Sequence, residues 1–365
     1  MDKTQRNFKN ILVSGGSGFI GSNMIRYLLG PSSGFAGNIV NVDALTYAGN
    51  PESLADLADS GAERYVFEHA NICDRKKMEH VFAKYQIDAV CHLAAESHVD
   101  RSILGPEAFI KTNIMGTFTL LDAARHYWTK PGGQLRGDVL FHHVSTDEVF
   151  GSLGQAGFFT ENTAYDPRSP YSASKAGSDH LVKAYYHSYG LPISMSNCSN
   201  NYGPYQFPEK LIPLMILNMM EGKALPVYGD GKNIRDWLYV EDHNSAVWTI
   251  MQKGRLGETY NIGGENEWEN IKLLKRLIEL FAQETGKNPE SLLGLISYVK
   301  DRPGHDRRYA IDCSKLKSEL GWKQSLSFEE GLKKTLRWYL DNSSWVNNVR
   351  SGEYQNWIDK NYTKR

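Results

Sequence analysis

Between residues 10 and about 200, short apolar runs alternate with amphipathic stretches: ILVSG, NIVNVDA, YVFEHA, DAVCHLAA, VLFHHVS and PISMSNCSN, separated by patterns such as Met78 to Tyr85. Runs this short and this continuously apolar suit strands buried on both faces, and strands that alternate with helices form parallel sheets covered by those helices. The expected fold class is α/β, a Rossmann-type doubly wound parallel sheet. After Pro204 come a proline-rich turn, a Leu/Met-rich helix over Leu211 to Met220, the glycine-rich PVYGDGKN, and a helix over Lys272 to Thr285. That last helix carries Leu273, Leu274, Leu277, Ile278 and Phe281 on one face. A smaller C-terminal α/β domain closing over a cleft is expected. Residues 8–200 then form the nucleotide-binding domain and 201–365 mainly the substrate-binding domain, with some chain crossing back to the sheet.

Length and charge narrow the class. A chain of 365 residues is long enough for two domains or one large one. Lys+Arg at 41 against Asp+Glu at 42 gives a net charge of -1, so there is no basic excess to neutralise a phosphate polymer, and nucleic acid is excluded as a partner. Cys73, Cys91, Cys198 and Cys313 are far apart, a spacing that suggests neither a structural metal nor a disulfide framework. The N-terminal MDKTQRNFKN is polar, and the ten-residue apolar stretch Leu211 to Met220 is too short to span a bilayer. A soluble, cytoplasmic protein with no metal and no membrane partner is expected.

The first strand leads into Gly15, Gly18 and Gly21 and then into a helical pattern from Asn23 to Leu29. Glycines at that spacing allow a tight turn, a close approach of backbone to a pyrophosphate, and close packing of helix on strand, while the helix N-terminus offers N–H donors. A plain strand-turn-helix would also use glycines. The second strand, however, ends at Asp43, where a carboxylate can accept hydrogen bonds from an adenosine ribose and would repel a 2'-phosphate. The expected cofactor is NAD rather than NADP, since Arg75 and Lys76 lie too far along to reverse that choice.

Tyr171 and Lys175 stand four apart in SPYSASK, on one face of a helix that Pro170 would start. An ammonium beside a phenol favours the phenolate, which can take a proton from an alcohol as its carbon gives hydride to a nicotinamide. Taken alone, the pair could be surface residues. The strand VLFHHVS runs into Ser145, Thr146, Asp147 and Glu148, and the carboxyl ends of strands border the ligand crevice in open α/β sheets. The plainer reading of Asp147 and Glu148 is a helix cap with a first-turn acid. Alcohol oxidation needs only Thr146 and the Tyr-Lys pair, so two further carboxylic groups point to a second proton transfer, elimination of water.

Together SGGSGFIGS, VDALTYAGN, LAAESHVDRSI, STDEVFG, YSASK, NNYGPYQFPEKLIP and DRPGHDRRYAID resemble the dTDP-glucose 4,6-dehydratases, a family of extended short-chain dehydrogenases/reductases. The likeness runs from about residue 8 to the C-terminus, with Ser14, Asn71 and Phe150 departing from the usual Thr, Asp and Tyr. It implies a hydro-lyase of nucleotide-sugar and deoxysugar biosynthesis, the rhamnose pathway included. NAD would be reduced and reoxidised within each turnover. Tyr171 would deprotonate the 4-hydroxyl of glucose with help from Lys175 and Thr146. Glu148 would take the C5 proton, and Asp147 would protonate the departing 6-hydroxyl. By the same resemblance the cofactor contacts fall at Gly15, Gly18, Phe19, Ile20, Gly21, Asp43, Ala44, Leu45, Thr46, Asn71, Ile72, Leu93, Ala94, Ala95, Thr112, Tyr171, Lys175 and Asn201. Substrate contacts fall at Ser97, Thr146, Asn200, Lys210, Leu211, Pro226, Val227, Tyr228, Arg235, Asn270, Asp301, Arg302 and His305. Arg235 and Lys210 suit a sugar diphosphate, whereas His98 and His305 have no further ligand at metal spacing and read as wall residues.

A UDP-glucose 4,6-dehydratase differs only in the nucleotide. A sugar-nucleotide 4-epimerase shares the fold, NAD and the Tyr-Lys pair, but has no use for Asp147 and Glu148. The resemblance also implies a homodimer built from two helices per subunit. The candidates are Ala108 to Tyr127, with Ile110, Ile114, Phe118 and Leu121 at helical spacing, and the YSASK helix through Tyr189.

Overall fold

The structure, a computed structural model, describes residues 5–59, 63–301 and 304–350. Its strands in chain order are β1 (Asn10–Ser14), β2 (Asn38–Asp43), β3 (Tyr65–His69), β4 (Ala89–His92), β5 (Leu140–Thr146) and β6 (Ile193–Cys198). There follow β7 (Asn200–Tyr202), β8 (Leu225–Tyr228), β9 (Ile234–Tyr239), β10 (Thr259–Ile262), β11 (Glu267–Glu269) and β12 (Ile296–Val299). Seven of them make one parallel sheet in the order β10-β6-β5-β4-β1-β2-β3. The winding direction reverses between β1 and β4, and a crevice opens at that point beyond the carboxyl ends of the strands.

Helices bury both faces of this sheet. On one face Met24, Ile25 and Leu28 of helix Phe19–Leu29 pack with Val247, Trp248 and Met251 of helix Val240–Lys253. On the other face lie Phe82 of helix Arg75–Tyr85, Leu120 and Leu121 of helix Thr117–Trp128, and Val182 of helix Pro170–Tyr189. Removal of this apolar surface from water is the main stabilising contribution, at about 25 cal/mol per Å². A second core joins helices Leu211–Glu221, Asn270–Thr285 and Phe328–Asp341 around the mixed sheet β11-β9-β7 and the parallel pair β12-β8. The chain after residue 200 therefore contributes to both lobes, because β10 pairs with β6 and helix Val240–Lys253 covers the main sheet.

Local sequence explains the elements that matter for the site. Helix Pro170–Tyr189 starts with Pro at its first position and a reciprocal capping box between Ser169 and Ser172, and it stops at Gly190 with φ 68°. Pro213 sits in the first turn of helix Leu211–Glu221, where an N–H would have no helical partner. Two expectations are corrected. The first helix begins at Phe19, directly after Gly18, rather than at Asn23. The expected single helix from Ala108 to Tyr127 is instead a short helix Pro106–Phe109, a π-helical segment Ile110–Gly116, and helix Thr117–Trp128. The wider π turn rotates the apolar stripe, so Leu121 is fully buried against the sheet while Ile110 is 46% exposed.

A Cβ at Gly21 would lie 2.1 Å from the Gly15 carbonyl oxygen, which is backbone and cannot move aside cheaply. Gly21→Ala should lower unfolding free energy by about 1–3 kcal/mol. Gly137→Ala, whose Cβ meets nothing within 4 Å, should stay within about 0.5 kcal/mol. Denaturant titration of both variants checks the contrast.

Candidate active site

The glycine loop closes the amino side of the crevice. Gly15 has φ 71°, and a Cβ there would lie 2.7 Å from the Ala94 Cα after β4, so only glycine lets the two strand ends approach. Gly18 forms the N-terminal boundary of helix Phe19–Leu29 and caps it with no side chain, and no acidic residue occupies the first turn. Phe19 and Ile20 thus present helix-terminal N–H groups and positive dipole with no competing carboxylate from that turn. Asp43, at the end of β2, accepts from the Ser17 N–H at 3.0 Å and from the Leu45 N–H at 2.8 Å, which fastens the loop to the second strand. Burial raises the Asp43 pKa, and those two backbone donors oppose the rise.

Several of the other residues expected to meet the cofactor follow the ends of β2, β3 and β4. Ala44, Leu45 and Thr46 follow Asp43, with Leu45 at φ 50°. Ile72 is buried against Gly116 of the π segment that carries Thr112, and Asn71 turns the chain by accepting from the Cys73 N–H at 2.9 Å. Leu93, Ala94 and Ala95 line the exit of β4 half-buried. Asn201 borders the adjoining cavity, and its buried Oδ1 has no partner among the described residues. A glycine cradle, an open helix N-terminus and an unmet acceptor together fit an elongated dinucleotide. Arg75, by contrast, is committed to Glu79 and Asp122 at 2.9 and 2.8 Å.

The reacting end is built by β5 and the helix beside it. Thr146 ends the strand and caps the short 3₁₀ turn Asp147–Phe150 by accepting from the Glu148 N–H at 3.3 Å. Capping therefore falls to Thr146, with Asp147 and Glu148 as the acids of the first turn. Asp147 is buried, Thr146 donates to its Oδ1 at 3.4 Å, and its Oδ2 has no hydrogen-bond partner among the described residues. Burial first, then the charges of Glu148 and Asp236, push its pKa well above the carboxylate range, against the pull of Arg235. Asp147 therefore holds its proton more tightly than an ordinary carboxylic acid.

Tyr171 and Lys175 project from helix Pro170–Tyr189, both buried. Lys175 donates through Nζ to the Val144 carbonyl at 2.8 Å. The lowering of the phenol expected from that ammonium is reversed. Burial and the Glu148 charge hold the Tyr171 pKa well above its ordinary value, although the hydrogen bond with Thr146 opposes them. Desolvation outweighs a cation whose hydrogen bond goes to the backbone.

A cavity extends from Glu148 into the second lobe. Ser97, Asn200, Lys210, Leu211, Pro226, Val227, Tyr228, Arg235, Asn270 and His305 all line it. Lys210 donates to the Ser97 carbonyl at 3.3 Å, and Tyr228 donates to Asp100 at 3.1 Å. Arg235 is buried, donates to the Ile234 and Asp306 carbonyls, and lies 4.2 Å over the Tyr309 ring. Asp301 stands behind the wall, 2.6 Å from Nδ1 of His305, and Arg302 lies outside the described residues. Among the described residues no group of three or more His, Cys, Asp or Glu could hold a metal ion.

Sequence reasoning missed Glu209, Gln206 and Trp237, and it left Asp100 and His98 without a binding role, yet all of them line the same cavity. Glu209 accepts from the Tyr47 hydroxyl at 3.1 Å, and burial raises its pKa to about 7 against Lys210 and that hydrogen bond. Its position beside Lys210 in the PEKLIP segment was the available signal.

The family model described as GDP-mannose 4,6 dehydratase matches residues 12–335. dTDP-glucose 4,6-dehydratase 1 of Escherichia coli K12 is 57% identical, over 97% of this chain and 99% of that protein. The chain belongs to the dTDP-glucose 4,6-dehydratase family. A solved dTDP-glucose 4,6-dehydratase, DesIV of Streptomyces venezuelae with NAD bound, superposes with a TM-score of 0.84 at 42% identity, covering 93% of this chain and 99% of that one. UDP-glucose 4-epimerase of Thermotoga maritima shares the architecture with a TM-score of 0.78 at 30% identity, over 92% and 99%. The fold is thus common to proteins named for both reactions.

A carboxyl whose pKa rises on folding binds more protons folded than unfolded between its two pKa values, so stability falls as pH rises through that window. Asp147→Asn, neutral and of the same shape, escapes this loss. Its thermal midpoint should gain on that of the wild type between pH 5 and pH 8, and an unchanged difference would place the Asp147 charge in a far wetter site.

Proposed function

We propose that the protein dehydrates dTDP-glucose to the 4-keto-6-deoxy sugar nucleotide with NAD as a cofactor regenerated in each turnover. The observation that carries this reading is Asp147, a buried carboxyl with an unmet oxygen beside Glu148 and Tyr171. NAD, when bound, supplies a hydride acceptor for C4 that returns the hydride to C6, and its cationic ring favours the Tyr171 phenolate. Tyr171 takes the proton from O4 while Thr146 orients that oxygen. A ketone at C4 acidifies the C5 proton, which Glu148 removes and gives back to C5 as the hydride arrives at C6. Asp147 gives its proton to the 6-hydroxyl, which leaves as water. Lys210 and Arg235 supply cationic charge to the diphosphate across the cavity.

Expulsion of the hydroxyl needs the acid, whereas oxidation at C4 does not. Asp147→Asn mixed with dTDP-glucose should therefore build up the absorbance of reduced nicotinamide, with turnover down by about 10² to 10⁴. Tyr171→Phe should show neither absorbance nor product, and Glu148→Gln should slow exchange of the C5 proton with deuterated solvent. A folded Asp147→Asn, Glu148→Gln double variant that dehydrates normally would return the 4-epimerase reading to first place. Mass spectrometry after incubation with dTDP-glucose and, separately, UDP-glucose decides the nucleotide. Product from UDP-glucose alone would contradict the assignment.

Three narrower statements belong to the same proposal. The product enters deoxysugar biosynthesis, rhamnose included. The buried, unpaired Cys91, Cys198 and Cys313 suit the reducing cytoplasm. The protein works as a homodimer, supported by Leu104, Ile110 and Met115, which are 54%, 46% and 50% exposed around the π segment, since large apolar side chains exposed close together suit burial between copies. Light scattering should give twice the chain mass, and Leu104→Asp with Met115→Asp should give a monomer. A monomeric wild type would reject the dimer.

A further inference from the structure

Behind the reacting groups lies a buried ionisable cluster that the steps above do not use. Asp179 follows Lys175 by four positions on helix Pro170–Tyr189, so the two side chains share a face. Both are buried. A carboxylate removed from water requires donors or a cation nearby, and Asp179 has the donors. Ser145 and Tyr165 donate to Oδ2 at 2.7 and 3.0 Å, and Nε2 of His143 lies 3.0 Å from Oδ1. Burial and the Lys175 charge hold His143 neutral. Its Nδ1 has no partner among the described residues, which assigns the single ring proton to Nε2 as a third donor to Asp179. Three donors from β5 and the loop before the helix thus fix the carboxylate one turn beyond Lys175.

We propose that Asp179 is a positioning residue, the fixed counter-ion that keeps Lys175 an ammonium ion during turnover, acting on Tyr171 and the sugar only through that lysine. This deepens the dehydratase reading and rests on it.

The surroundings leave Asp179 to fill this role. His92 on β4 is held neutral by burial, as is His143 on β5, and burial pushes the Cys198 thiol on β6 up to about 12. Tyr165 is held protonated by burial and the Asp179 charge, and Lys183 on the same helix adds positive charge near Asp179. Burial raises the Asp179 pKa to about 6, and the Lys175 charge and the hydrogen bonds from Ser145 and Tyr165 oppose the rise. Burial lowers the Lys175 pKa, and the Asp179 charge is the first of the effects that raise it again. Without that charge the ammonium is lost at lower pH, and the alkaline limb of the rate profile moves to lower pH.

The test is the pH dependence of kcat/KM for dTDP-glucose in the wild type and in Asp179→Asn, with nitrogen-15 NMR of the Lys175 Nζ as a readout independent of turnover. The alkaline limb and the Nζ titration should both fall by about one pH unit or more, with the rate on the acid side largely kept. A variant slowed by one factor at every pH, with the Nζ titration unmoved, would overturn the proposal. Lys175→Arg tests it without touching Asp179. A guanidinium does not titrate in this range, so the alkaline limb should vanish, and a limb retained at the wild-type pH would overturn the proposal even if Asp179→Asn does not fold. A wild type unable to dehydrate dTDP-glucose would remove the dehydratase reading, and the Nζ titration would still decide the role of Asp179.

Discussion

Exclusion of water from the carboxyl end of β5 shifts the proton affinities of Asp147, Tyr171 and Lys175. Desolvation favours the neutral form whatever the sign of the charge. It pushes the Asp147 and Tyr171 pKa values up and the Lys175 pKa down. The first effect prepares an acid that can expel a hydroxyl. The others work against a site that needs a phenolate and an ammonium, so compensating charge has to be built in. For Lys175 that charge is Asp179, one turn along the same helix.

That dry pocket depends on packing far from the chemistry. Helices on both faces of the parallel sheet remove β5 from water along its whole length. The glycines at 15 and 21 let the loop, the first helix and the end of β4 approach to a distance that a single methyl would prevent. Closure then comes from the second lobe, where Lys210, Tyr228 and His305 face Ser97 and Glu148 across one cavity. Tyr47, just beyond the loop that Asp43 fastens, reaches Glu209 on the opposite lobe.

Much of this was legible in the residues. Continuous apolar runs gave the parallel sheet, because burial on both faces leaves no alternation to read. The glycine spacing and Asp43 located the crevice. The adjacent acids after VLFHHVS suggested elimination, and the structure gives the capping duty to Thr146. Other features were hidden because they depend on contacts across the fold. No local pattern shows that the stripe from Ile110 to Leu121 is broken by a π turn, or that burial defeats the ammonium beside Tyr171. Asp179 looks like an ordinary helical polar residue until His143, Ser145 and Tyr165 converge on it.

One site oxidises C4, expels water and returns the same hydride to C6. The most direct measurement follows dTDP-glucose labelled with deuterium at C4 through complete turnover, by mass spectrometry and deuterium NMR of the product. The product should be lighter by one water, with the deuterium in the C6 methyl group. A product of unchanged mass with deuterium still at an inverted C4, or deuterium lost to solvent, would contradict it.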